Sequence, residues 1–125
     1  MPAAEVVAAP SAVRLGGLAV CLLDASPAVQ AARLTARGDD PNLLHHHHAF
    51  AEWMRLAAAD PMPMPEVITT NGWDQMRWER LSSVADTWHT TTIDTTDLSR
   101  AQVADAVVAW CRSTLAGEVP VIKVS

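Results

Sequence analysis

Residues 18–40 read LAVCLLDASPAVQAARLTARGDD, and the change of pattern inside this stretch decides the fold. Its first six residues form an unbroken apolar run, flanked by Gly16-Gly17 and closed by Asp24. A run this short between turn signals reads as a strand buried on both faces, as in a parallel sheet. Ser26-Pro27 then gives an N-cap and a proline at the first helical position, where the missing N–H costs nothing. The helix should run to about Arg37 and stop at Gly38. Strand, turn and helix make half of a crossover unit.

The same alternation continues downstream. Asp40-Pro41 repeats the helix-start signal, and the next helix should extend to about Ala59, before Asp60-Pro61. At helical spacing Leu43, Phe50, Met54 and Ala57 share one face, flanked by His46, His47 and Trp53. His45, His48, Glu52 and Arg55 point the other way. The prolines of residues 61–65 make a stiff connector, and the β-branched run at 66–70 predicts a short strand. Asn71-Gly72 turns the chain into a predicted helix over 73–84, with Met76 and Leu81 as core candidates. Threonine-rich residues 88–95 predict another strand. Ser99 and Gln102 form a capping box, whose helix aligns Val103, Ala106, Val107, Trp110, Cys111 and Leu115 and ends near Gly117. Residues 118–125 read as a tail, strand or loose.

These elements predict an α/β fold: a small parallel sheet of two or three strands covered by about four helices. A chain of 125 residues and 13.4 kDa is one domain, with its core expected over about 16–117. It can bury roughly two-thirds of its unfolded surface. The net charge of −5 argues against a nucleic-acid-coating surface, which needs a basic stripe. Asp24 closes the best apolar run far short of a bilayer span. The alanine-rich N-terminus lacks the basic region of a signal peptide, so a cytoplasmic location is expected. Cys21 and Cys111 read as reduced core residues rather than a disulfide scaffold.

Two stretches carry a family resemblance. VCLLDASPAVQAARLTARGDD, residues 20–40, resembles the fourth strand, following helix and lid entrance of P-loop small-molecule and nucleotide kinases. TTIDTTDLSRAQVADAVVAW, residues 91–110, is similar to the fifth strand and closing helix of that fold. The resemblance covers roughly residues 5–115 and implies the C-terminal half of such a domain. The phosphate loop G-x-x-x-x-G-K-[ST] is missing: none of the five glycines precedes lysine, and Lys123 is the chain's only lysine. Loop amides and the lysine grip the phosphates in that family, so ATP and magnesium are expected as cofactors only if a missing N-terminal half completes the site. Phosphoryl transfer by this chain alone is not expected.

The resemblance implies nucleotide contacts from Arg37 toward phosphates, Arg33 toward the base or lid, and Thr95, Thr96 and Leu98 toward adenine. The carboxyl ends of parallel strands are also where open α/β sheets bind ligands. Asp24 and Asp94 end their strands and are candidates for magnesium or a general base. On a helix, His45, His48 and Glu52 fall at spacings that let three N/O ligands converge on a metal, although sites built wholly on one helix are uncommon. Trp73, Trp78, Arg77 and Arg80 are candidates for an aromatic-basic surface. Losing the family's first strands would leave the 18–23 strand with an unpaired edge, so self-association or docking of a complementary N-terminal fragment is expected. Neither a nucleic acid nor a membrane is expected as partner.

Overall fold

The computed structural model describes residues 2–63 and 65–125. The chain is mixed α/β. Its elements are α1 (Ala3–Ala8), β1 (Gly17–Leu18), β2 (Cys21–Asp24), α2 (Pro27–Arg37), α3 (Leu44–Ala59), α4 (Glu66–Thr69), α5 (Arg80–Val84), β3 (Thr91–Asp94), α6 (Arg100–Leu115) and β4 (Ile122–Lys123), with short 3-10 turns between some of them. β2 and β3 pair in parallel, Cys21 opposite Thr91 and Asp24 opposite Asp94. β1 and β4 form a separate antiparallel pair, Gly17 opposite Lys123.

Helix ends follow the local chemistry. The Ser26 hydroxyl accepts from the Val29 amide, with Pro27 behind it. At the other end of α2, Gly38 has φ +87°. Its amide donates to the Thr35 carbonyl and that of Asp39 to Leu34, a Schellman closure that satisfies two orphan carbonyls. α6 opens on the Ser99–Gln102 capping box and closes in the same way at Gly117, φ +74°.

Leu81 is buried as its spacing predicts, but most of the main core lies where the sequence pattern did not put it. Ala4, Val7, Ala12, Leu81, Val84, Ile122 and Val124 form one buried cluster, with Leu18, Val20, Trp78 and Trp88 packed against it. This core extends outside the expected 16–117 boundary at both ends. The 118–125 segment is not a loose tail, since Ile122 is fully buried and the Lys123 amide donates to the Thr87 hydroxyl. α1 joins the cluster because the Arg80 guanidinium donates to the carbonyls of Val7 (3.1 Å), Ala9 (2.5 Å) and Pro10 (3.3 Å). The Val7 carbonyl lies in the last turn of α1, where no intrahelical donor remains for it.

Three local expectations are corrected. Residues 66–69 form a helical turn, not a strand: Pro65 starts it at φ −58°, and the Thr70 hydroxyl closes it on the Glu66 carbonyl. Regular helix within 73–84 is confined to α5, because the Arg77 amide is diverted to the Ala8 carbonyl. On α3 the buried residue is Trp53, whose indole donates to the Pro63 carbonyl. Leu43 and Phe50, placed by helical spacing on one apolar face, are about half exposed.

The parallel pair is also less covered than expected. Leu23 on β2 is 49% exposed, so the strand is not buried on both faces. None of the residues of α2 or α6 is fully buried. Cys111 and Leu115, expected on the inner stripe of α6, are exposed.

Candidate functional site

The carboxyl ends of β2 and β3 open into a cleft of about 940 Å³, walled by α2, α3 and the start of α6. Its apolar lining includes Leu23, Leu34, Phe50, Met54, Leu98 and Val103, and its polar lining includes Asp24, Gln30, Arg33, Arg37, His47 and Arg100. Gln30 bridges two walls, its side-chain amide donating to the His47 carbonyl. Arginines over an apolar floor suit a flat, partly apolar ligand with an anionic end.

Hydrogen bonds fix the two strand ends to each other and to the helices. The Thr95 amide and hydroxyl both donate to the Asp24 carbonyl, at 2.7 and 2.8 Å. Arg33 reaches across from α2, donating to the Thr95 hydroxyl (2.8 Å) and carbonyl (2.6 Å). The Thr96 hydroxyl accepts from the Ser26 amide and donates to Asp94. Thr95 is 4% exposed, a buried polar side chain whose hydrogen bonds offset its desolvation.

Asp24 sits at the centre. Its carboxylate takes three guanidinium contacts from Arg55 of α3, at 2.9 to 3.1 Å, and one from the Ala25 amide at 2.8 Å. Arg55 also donates to the Ala25 carbonyl. The Arg55 hydrogen bonds hold the Asp24 carboxyl below the usual carboxylate range. Asp94 is shifted the same way by the Thr96 hydroxyl and amide. Asp24 thus commits both oxygens to Arg55, and Asp94 turns one oxygen to Thr96. Asp24, whose oxygens are both taken by Arg55, does not fit the site of a resident magnesium ion, which calls for carboxylate oxygens presented to the metal.

The sequence-based candidates divide accordingly. Arg33, Arg37, Thr95 and Leu98 line the cleft together, and Thr96 stands beside them in the turn after β3. Arg33, Thr95 and Thr96 direct their side chains into the internal network, which leaves Leu98 and Arg37 as the candidates facing the space. Arg37 pairs with Asp39 on the cleft's rim.

Among the described residues no three His, Cys, Asp or Glu side chains gather into a metal-holding group, so His45, His48 and Glu52 are not brought together as one. It is His47, between them, that lines the cleft. Arg80 of the expected aromatic-basic surface is spent on the carbonyls at the end of α1, and Trp78 packs on the core. Both cysteines are free, and burial pushes the Cys21 thiol up.

Arg55, Arg100, Phe50 and Met54 belong to the site but were absent from the sequence-based candidates. The helical periodicity of α3 did place Arg55 on a face opposite Phe50. That Asp24 would need a cationic partner at a strand end was the available signal. No helix among the described residues is long and apolar enough to cross a membrane. The chain matches no protein-family model, no curated protein and no solved structure.

Proposed function

We propose that the chain is a relative of an ATP-dependent phosphotransferase of the P-loop kinase type, whose residues form the base and lid side of a nucleotide site and include no phosphate-gripping loop. The observation that carries this reading is the cleft at the carboxyl ends of β2 and β3, lined by Leu98 and Arg37, with Arg33 tying its α2 wall to Thr95. A purine would lie against Leu98 and the apolar floor, with Arg37 on the phosphate side. The chain alone does not transfer phosphate, because no loop of amides and lysine holds the triphosphate for attack. Completion by an N-terminal half would supply the site for ATP and magnesium. Calorimetric titration of the full chain with adenosine and with MgATP tests the reading. Adenosine should bind saturably in the millimolar range, MgATP should gain less than about tenfold over it, and no phosphoryl transfer should be detected. Absence of adenosine binding discards the nucleotide reading.

A second reading, a non-enzymatic self-associating module, is favoured by the sheet. Among the described residues β2 pairs with β3 alone, and a two-stranded parallel sheet with a half-exposed Leu23 presents edges that pair readily with another chain. Gel filtration should give a dimer or larger species at micromolar concentration. A monomer across the concentration range removes this reading.

A further inference from the structure

Arg37 ends α2 on the rim of the cleft with its side chain 68% exposed. Its Nε and Nη2 each donate at 2.6 Å to a different oxygen of Asp39. This two-pronged contact is the geometry by which a guanidinium takes a phosphate or carboxylate from a ligand. The Schellman closure at Gly38 turns the chain back, so that Asp39, the second residue after α2, brings its carboxylate to the Arg37 fork. His47 of α3 brings Nε2 to 3.6 Å from Asp39 Oδ2, the oxygen that also accepts from Arg37 Nη2.

Two features make the contact exchangeable. The Arg37 side chain is 68% exposed and that of Asp39 21%, so water reaches the guanidinium and tempers the stability that the forked geometry adds. Asp39 also stands at the negative end of the α2 dipole, where a second negative charge is disfavoured. The internal carboxylate therefore occupies the Arg37 fork without being locked to it.

We propose that Asp39 is a built-in competitor for Arg37, so that a phosphate-bearing ligand gains its anionic contact only by exchanging Arg37 from Asp39 to itself. The ligand class is a phosphate or pyrophosphate group carried on an apolar body. The inference rests on the nucleotide reading of the cleft and adds to it the device that weakens its anion end. The Arg37 fork holds the Asp39 carboxyl below its ordinary range and is itself raised, as expected for a formed pair.

Inorganic pyrophosphate titrated into the full chain tests the exchange, with adenosine titrated in parallel. Asp39→Asn should tighten pyrophosphate roughly fivefold, because the binding-competent Arg37 is no longer sequestered, and should leave adenosine affinity unchanged. The gain should vanish in the Arg37→Met, Asp39→Asn double variant. No gain in Asp39→Asn overturns the proposal, as does a gain that survives the loss of Arg37, which would mark a general charge effect. If adenosine binds no variant while pyrophosphate behaves as stated, the competitor role stands and the nucleotide reading falls.

Discussion

Replacing Arg80 with methionine is expected to lower the midpoint of thermal unfolding by about 10 °C. Methionine keeps most of the apolar stem but removes the guanidinium that donates to Val7, Ala9 and Pro10. Hydrogen bonds to a charged donor contribute about 1.5–3 kcal/mol each where they stand alone. Three contacts from one group overlap, so a total of about 2–3 kcal/mol is expected. The loss also frees α1, and with it Ala4 and Val7 of the buried cluster. Arg77→Ala is the matched control, since Arg77 engages the Ala8 carbonyl through its backbone amide, which alanine retains. Thermal melts of the two variants beside the parent decide the matter. An unchanged midpoint for Arg80→Met would show that apolar contacts and the Arg77–Ala8 backbone hydrogen bond suffice to hold α1 in place.

Removing Arg55 should be nearly as costly, and its cost should depend on pH. Arg55→Met leaves the Asp24 carboxylate with the Ala25 amide alone and strips the Ala25 carbonyl of a donor. A loss of about 2 kcal/mol at pH 7 is expected. Asp24 has a folded pKa below its unfolded value. Its contribution is therefore fully present above the unfolded value, near pH 4, and is lost as pH falls through the lower folded value. Urea unfolding of parent and variant should show the full gap at pH 7 and a shrinking gap below about pH 4. A gap that stays constant through acid would assign the effect to packing of the Arg55 stem.

The sequence made the parallel pair and its flanking helices legible because their signals are local. Ser26-Pro27, Gly38, the Ser99–Gln102 box and Gly117 each act on the backbone within one turn, the first and third opening a helix and the others ending one where expected. Contacts between distant segments were not legible. The Arg77 amide bonds to Ala8 and breaks a helix that its own neighbours favour. β4 is short, and only its pairing with β1 makes Ile122 a core residue.

The site divides in the same way. The strand-end placement of Thr95 and Leu98 follows from topology, and both line the cleft. The roles of Arg33 and Arg55 depend on which side chains meet across 62 and 31 residues of sequence, a matter that periodicity does not decide. Phe50 misled because helical spacing marks an apolar face without saying whether anything covers it. On α3 the covered side is centred on Trp53.

The most direct test of the account is amide chemical-shift mapping of the isotope-labelled full chain during titration with adenosine. The account predicts saturable shifts concentrated at Thr95, Leu98, Arg37 and Phe50 around the cleft, with the α1–α5–β4 core undisturbed. Shifts absent at saturating adenosine, or centred on that core instead, would contradict it.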